Sequence, residues 1–134
     1  MEDKQLLVER QVAKSLHFLN QADEMMQLFH FDMAINRFYY ACFHIVHALF
    51  IQRGISGHTH SGVIMQFSKN FVKTNIVSME TGSLLARLFQ LRQKADYNCA
   101  YDVFDEEVQT LAKPVHDFVN LVVTIINDFD KTNE

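Results

Sequence analysis

Apolar residues recur at intervals of three and four along most of the chain, which is the period of an α-helix. This pattern predicts helices over residues 4–29, 32–53, 61–73 and 81–97, with a last helix from about residue 105. Such elements pack most simply as an all-α, antiparallel, up-and-down bundle of four long helices plus one short helix. No repeat or linker interrupts the pattern, so we expect residues 1–134 to form a single domain.

The link between the first two helices is only two residues long, at His30 and Phe31. So short a link predicts that the two helices are antiparallel neighbours. Asp32 is the predicted N-cap of the second helix, and Gly54 is expected to end it. The apolar positions expected to face the core from the first helix include Val12, Leu16, Leu19, Ala22, Met26 and Phe29.

The last predicted helix carries a regular apolar seam at Val108, Leu111, Val115, Phe118, Val122, Ile125 and Phe129. We expect a loop over residues 98–103 before it, with Asp102 or Asp105 as its N-cap. Pro114 lies inside this helix and should kink it or divide it near Thr110, because proline lacks the N–H that a helix interior needs.

The second predicted helix is apolar around most of its circumference, which is typical of the central element of a bundle. Five polar residues nevertheless share one sector about 100° wide. These residues, the polar stripe, are Asn36, Arg37, Tyr40, His44 and His47. Burying such groups costs free energy unless they find partners or a wet cleft. The stripe is therefore the first candidate for a ligand site, the alternatives being a buried polar network that fixes helix packing and a dimer face.

The fourth predicted helix repeats this anomaly at Arg92 and Asp96, which are spaced to pair on the face that also carries Leu88 and Phe89. If this helix packs beside the second one, the pair should line one cleft with the polar stripe. His60, in the loop that follows the second helix, could reach the same cleft or a phosphate group. Solvation is the simpler expectation for this loop histidine and for His58.

Composition restricts the function of the 134-residue chain more than it defines it. A net charge of −4 argues against a general nucleic-acid coat, so a site for RNA or a nucleotide must be local. No apolar run reaches the roughly 18 residues of a membrane span. The N-terminus does not resemble a signal peptide. Two cysteines, Cys42 and Cys99, are too few for a disulfide framework and indicate free thiols in the cytoplasm.

We expect neither a metal nor a cofactor. His44 and His47 are three residues apart and could share a metal ion, but no motif supplies the further ligands that such a site needs. The chain also lacks a glycine-rich phosphate loop.

Three short blocks resemble the HEPN domain family. Residues 34–44 (AINRFYYACFH) are similar to its second-helix signature. Residues 59–63 (THSGV) with Phe67, and residues 92–97 (RQKADY), are similar to later blocks of one bacterial and archaeal branch. The resemblance implies a small helical bundle that commonly forms a homodimer. It also implies a possible partner, a minimal nucleotidyltransferase, in a toxin–antitoxin pair.

The chain departs from the ribonuclease motif of that family, an Arg followed after four to six residues by a His. Counting from Arg92, the permitted positions hold Tyr97, Asn98 and Cys99, and the next histidine is His116. We therefore predict no catalytic residue. The predicted ligand-binding residues are Asn36, Arg37, Tyr40, His44, His47, His60, Arg92, Asp96 and Tyr97.

Three hypotheses for function follow. The first is a HEPN-like accessory protein whose polar cleft binds a nucleotide, an RNA end or a partner protein, with affinity falling above neutral pH if His44 or His47 must be protonated. The second is a ribonuclease toxin that uses His44, His47 or His60 as the base and Arg92 as the cation. The third is a structural dimerising module. Enzymatic activity is the weaker expectation because the family's histidine is missing.

Overall fold

The computed structural model of the protein describes residues 2–97 and 101–132, with the side chains of residues 3–95, 105–129 and 131. No β-strand occurs in these ranges, so the predicted all-α fold class is confirmed. The helices are α1 (Glu2–Gln27), α2 (Phe31–Arg53), α3 (His60–Phe67), α4 (Met79–Gly82), α5 (Leu84–Tyr97) and α6 (Tyr101–Thr132), and a π-helical turn (Ser68–Val72) follows α3.

Helix α2 is the central element of the bundle, as its apolar sequence predicts. It packs against α1, α5 and α6. Most of its circumference is buried, including Ile35, Phe38, Tyr39, Ile45 and Leu49, none of which is exposed to solvent. The polar stripe is less deeply placed, since its five members are all half-buried. Within the described ranges, no helix is long and apolar enough to cross a membrane.

The turn between α1 and α2 is as tight as predicted, but its caps differ. Phe29 adopts a left-handed backbone (φ 60°), and the His30 N–H donates to the Met25 carbonyl at 2.9 Å. Helix α2 begins at Phe31, whose ring is buried, so Asp32 lies in the first turn and is not the N-cap. Its carboxylate there still complements the helix dipole.

The first helix is rotated slightly from the predicted register. Leu16 and Phe29 were expected in the core, but they are 46% and 77% exposed. Val8 and Ser15 are buried instead, whereas Leu19 and Ala22 are buried as predicted. The Ser15 hydroxyl donates to the Ala41 carbonyl of α2 at 2.6 Å, so a small polar residue fits where the two backbones come close.

The loop from α2 to α3 begins at the predicted residue. Gly54 takes a left-handed conformation (φ 68°), which glycine adopts without strain, and ends α2 as predicted. The Thr59 hydroxyl then accepts a hydrogen bond from the Gly62 N–H at 2.9 Å and caps α3. His60 is consequently the first residue of α3 and no longer belongs to the loop.

The predicted fourth helix is two helices in the structure. The Ser83 hydroxyl donates to the Glu80 carbonyl at 2.8 Å, a local bond that competes with helix continuation. The long second part, α5, packs against α2 and buries Leu85, Leu88 and Leu91. This neighbourhood is the one that a shared cleft between Arg92 and the polar stripe requires.

Helix α6 corrects two predictions. It begins at Tyr101, so Asp102 and Asp105 lie inside it and not at its N-cap position, while residues 98–100 of the predicted loop lie outside the described residues. Pro114 does not divide it. Pro114 and Thr110 are both exposed, so the carbonyl of Thr110, which loses its usual helical donor, is on the side that water can reach.

Candidate functional site

The polar stripe occupies the half-exposed strip of α2 that its neighbours leave uncovered. Helix α1 borders it on one side, while the start of α3 and helix α5 border it on the other, as the contacts of its side chains show. Its polar groups alternate with half-buried aromatic rings. These rings belong to Phe18, Phe43 and Phe89.

On the α1 side, His44 is held by two contacts. Its Nδ1–H donates to Oε1 of Gln11 at 2.8 Å, since a carboxamide oxygen can only accept. The Phe18 ring stacks on the imidazole, with 5.3 Å between centroids and 7° between planes. Burial, and then the nearby charges of Lys14 and His47, lower the pKa of His44 to about 4. The imidazole is therefore neutral at physiological pH.

Asn36 and Arg37 lie at the beginning of the stripe. Arg37 Nη1 donates to Asn36 Oδ1 at 3.0 Å, and the guanidinium carbon lies 5.4 Å from the centroid of the Phe18 ring. A cleft of about 210 Å³ is lined by Asp32, Met33, Asn36, Arg37 and Ala95. This volume is below the roughly 300–1,000 Å³ of small-molecule sites, so the cleft alone would hold only part of a ligand.

Arg92 reaches the stripe from α5. Its guanidinium carbon lies 5.4 Å from the ring centroid of Tyr39 and 5.1 Å from that of Tyr40, which are cation–π distances. Its Nε is buried and has no hydrogen-bond partner among the described residues. A buried guanidinium nitrogen without a partner is costly, so part of the Arg92 guanidinium is left unsatisfied in this arrangement.

His60 joins the same group from the start of α3. Its Nδ1 shares a hydrogen bond with the hydroxyl of Tyr39, and its ring stacks on Phe89 with 5.2 Å between centroids. Burial raises the pKa of Tyr39, so this phenol keeps its proton. Burial, and then the charge of Arg92, lower the pKa of His60, so its imidazole is held toward the neutral form.

His47 completes this part of the site. Its ring contacts Phe43, with 4.5 Å between centroids, and its Nε2 is buried without a hydrogen-bond partner in the described part of the chain. Burial, and then His58 and His60, lower the pKa of His47. The two predicted loop histidines thus differ, because His60 packs into the site and His58 remains exposed.

The structure brings together most of the predicted binding residues. Tyr40, His47, His60 and Arg92 are linked through the rings of Tyr39 and Phe43. The side chains of Asp96 and Tyr97 lie outside the described residues, and so does the predicted pairing of Asp96 with Arg92.

Sequence reasoning missed Tyr39, which connects His60 with Arg92. Tyr39 is turned about 100° from Tyr40 around the helix, so the pattern assigns it to the apolar face. No local signal indicates that its hydroxyl meets a histidine 21 residues later. Gln11 was missed for the same reason, since its contact with His44 spans 33 residues.

Metal chemistry and thiol chemistry find no support at this site. Among the described residues, no group of three or more His, Cys, Asp or Glu side chains could hold a metal ion. Cys42 is fully buried, and burial raises the pKa of its thiol. A thiol that stays protonated is a poor nucleophile. The polar groups that the described residues bring to the site are guanidinium, imidazole, phenol and carboxamide groups.

Fold and site together define a helical bundle with a cationic, aromatic strip on its central helix. The family model for the HEPN domain matches residues 8–126 of the chain. A UPF0332 protein of Thermotoga maritima is 30% identical over 131 residues, which cover 98% of this chain and 99% of that protein.

Two proteins of Methanocaldococcus jannaschii are also similar. "Putative toxin MJ0142" is 31% identical over 113 residues, covering 84% of this chain and 77% of that protein. "Putative toxin MJ0605" is 30% identical over 89 residues, 66% of each chain. The chain belongs to the HEPN domain family, as the resemblance of its α2, α3 and α5 sequences indicates.

Proposed function

We propose that this HEPN-family protein binds an anionic ligand, a nucleotide or an RNA end, at the polar stripe without hydrolysing it. The observation that carries the proposal is the guanidinium of Arg92, which lies over Tyr39 and Tyr40 with a buried Nε that has no partner among the described residues. A guanidinium is planar and always charged, and its donors match the geometry of phosphate oxygens.

The positive charge of the site comes from arginine. Because the pKa values of His44, His47 and His60 are all lowered, Arg37 and Arg92 must supply the attraction for an anion. This changes the pH dependence expected from the sequence. With neutral imidazoles at pH 7, affinity should be nearly constant between pH 7 and 8 and should not fall above neutrality.

The aromatic rings support a ligand that carries a nucleobase. Phe18, Tyr40, Phe43 and Phe89 are half-buried, so each ring keeps part of its surface accessible beside the cationic groups. Bases stack on such rings with little dependence on their identity, and each stacked base contributes roughly 1–3 kcal/mol in single-strand binding proteins. A nucleotide uses both features of the site, whereas inorganic phosphate uses only one.

The assembly that we propose is a homodimer that works with a partner in a toxin–antitoxin-type pair. The names of two relatives support the toxin connection, and the family resemblance suggests a minimal nucleotidyltransferase as the partner. Exposed apolar side chains at the turn between α1 and α2 support a covered surface there. Leu28, Phe29 and Met33 are 58%, 77% and 47% exposed. Light scattering at micromolar concentration should report a dimer, and a monomer would contradict this part of the proposal.

The binding proposal is tested by calorimetric titration with AMP and with a 5′-phosphorylated dinucleotide. Replacing Arg92 with Ala should weaken binding by about 10- to 150-fold, because a hydrogen bond to a charged group contributes roughly 1.5–3 kcal/mol. Lys94→Ala is the matched control, since it removes a cation from the exposed face of the same helix. Equal affinities in Arg92→Ala and Lys94→Ala would remove Arg92 from the site.

The second candidate function is RNA cleavage. Three neutral imidazoles and one guanidinium lie in the stripe or at its border. Attack by a 2′-hydroxyl requires a base, which an imidazole could supply, and a cation, which the guanidinium could supply. Incubation with total RNA distinguishes the two functions. RNA that stays intact supports binding alone, while cleavage that disappears in Arg92→Ala would establish a ribonuclease. If the wild type neither binds these nucleotides nor cleaves RNA, the structural dimerising module is the favoured function.

A further inference from the structure

We propose that Tyr39 is a positioning residue that holds His60 in the tautomer with its proton on Nε2. His60 then presents a neutral N–H donor to the ligand and cannot serve as a base. The tautomer is a property of the free protein, whereas its use in recognition rests on the function proposed above.

The assignment follows from the hydroxyl of Tyr39. Tyr39 has no solvent exposure, and the partner of its hydroxyl among the described residues is Nδ1 of His60. If Nδ1 carried a proton and donated to the phenol oxygen, the buried phenolic hydrogen would have no acceptor. A buried unpaired donor costs about 1–3 kcal/mol, so Tyr39 must be the donor. An imidazole that accepts at Nδ1 and is neutral carries its proton on Nε2.

Three features keep His60 neutral and the assignment consistent. The imidazole is partly buried, the positive charge of Arg92 is close, and the ring belongs to the first residue of α3, where the helix dipole disfavours a cation. A doubly protonated ring would also have no lone pair for the Tyr39 hydroxyl.

The proton on Nε2 is placed where a ligand can reach it. Nε2 of His60 has no partner in the described part of the chain, yet it is not among the buried unpartnered nitrogens, whereas Nε2 of His47 is. It is therefore not fully buried, which agrees with the partial exposure of the His60 side chain. The stacked ring of Phe89 holds the imidazole plane, and the guanidinium of Arg92 lies over the same Tyr39 ring. A charged donor group at Arg92 and a neutral donor at His60 therefore lie beside the same tyrosine.

His44 has the opposite arrangement. Its Nδ1–H donates to Gln11 Oε1, so Nε2 carries the lone pair, and this atom is not fully buried either. The stripe and its border thus hold an N–H donor at His60 and an acceptor at His44. The ligand class that matches both is one with an anionic phosphate and a hydroxyl or amino donor, as a nucleotide has. If the protein cleaves RNA instead, the base is His44 or His47 and not His60.

The test of the tautomer is long-range ¹H–¹⁵N NMR of the histidine side chains at pH 7.5, with the His60 signals assigned by their loss in His60→Gln. Wild type should show an unprotonated Nδ1 and a protonated Nε2 at His60. Tyr39→Phe should shift the ring toward a mixture of tautomers, because the donor is gone while the phenyl ring still fills the core. Tyr40→Phe, which removes the neighbouring hydroxyl, should leave the His60 tautomer unchanged. A protonated Nδ1 in the wild type would overturn the proposal.

Titration with AMP tests the role of the donor. A Gln side chain places its amide nitrogen near the position of imidazole Nε2, whereas an Asn side chain ends near Nδ1. His60→Gln should therefore bind AMP within about threefold of the wild type, and His60→Asn and Tyr39→Phe about three- to tenfold more weakly, the usual effect of one neutral hydrogen bond. An equal loss in His60→Gln and His60→Asn would overturn the donor role, even if Tyr39→Phe failed to fold. The expected tautomer with no AMP binding by the wild type would refute the proposed function alone.

Discussion

Helices α2 and α6 are both long and apolar, but their polar residues differ in how much they are exposed to solvent. Helix α2 packs against three long helices, so its polar groups are confined to one half-buried stripe. Helix α6 makes its main contacts with α2 and keeps a broad face in water, where Lys113 and Asp117 pair with side chains 85% and 62% exposed. Helix α6 also touches α1 and α5, but far less extensively. How extensively neighbouring helices cover a helix, more than residue type, decides whether its polar side chains become part of a site.

The histidines of the two helices show the same contrast. His44 of α2 lies under a phenyl ring, and its pKa is lowered to about 4. His116 of α6 lies at the surface, where its Nε2 is 2.9 Å from both carboxylate oxygens of Asp23 on α1, and the two side chains are 40% and 39% exposed. The contact of His44 with the phenyl ring is part of the candidate site, whereas the contact of His116 with Asp23 joins α6 to α1.

The strongest test of this contrast removes the same atoms from each helix. Ile35 of α2 has no solvent exposure, while Ile125 of α6 is half-buried. Ile35→Ala should lower the free energy of unfolding by about 2–5 kcal/mol, since it leaves a cavity in the core. Ile125→Ala should cost about 1 kcal/mol, because less apolar surface is transferred to water. Urea denaturation measures both, and equal losses would mean that α2 is not the more deeply packed helix.

A smaller effect is expected from the pH dependence of His44. Its folded pKa, about 4, lies below the ordinary value of 6.5. Above pH 6.5 the imidazole is neutral in both states and contributes no pH dependence. Between pH 6.5 and 4 the unfolded chain binds a proton that the folded protein does not, so stability falls as pH falls. Wild type should therefore lose more stability than His44→Gln over this range.

The control for that experiment is His58→Gln, which changes an exposed histidine. Urea denaturation at pH 7, 5.5 and 4.5 should give the same fall in the free energy of unfolding for His58→Gln as for the wild type, and a smaller fall for His44→Gln. An equal fall in the free energy of unfolding for all three proteins would contradict the burial of His44.

The smallest effect is expected on the outer face of α6. Lys113→Ala removes an exposed ion pair four residues apart in one helix, which typically contributes about 0.5 kcal/mol or less. Raising the salt concentration should erase even this difference, because exposed charges are screened. A loss above 1 kcal/mol in thermal or urea denaturation would show that this face is covered in solution. The polar residues of α6 would then be buried as those of α2 are.

Periodicity predicted the elements well where one face of a helix decides burial. The seam of α6 is buried at Val108, Leu111, Val115, Phe118 and Val122 as expected. It failed where local geometry competes with the pattern. Leu16 is exposed because the close approach of α1 and α2 favours the small Ser15 at their contact, and Pro114 is accommodated because it lies on the exposed side of α6.

The sequence by itself determined that the protein is helical, that α2 is central and that five polar residues share one stripe of it. These properties depend on residues three or four apart, whose relative positions follow from helix geometry alone. Tertiary structure alone decided that Tyr39 meets His60, that Gln11 meets His44 and that Arg92 lies over two tyrosines. Such contacts join residues far apart in the chain, and they depend on how the helices are packed, which no local pattern specifies.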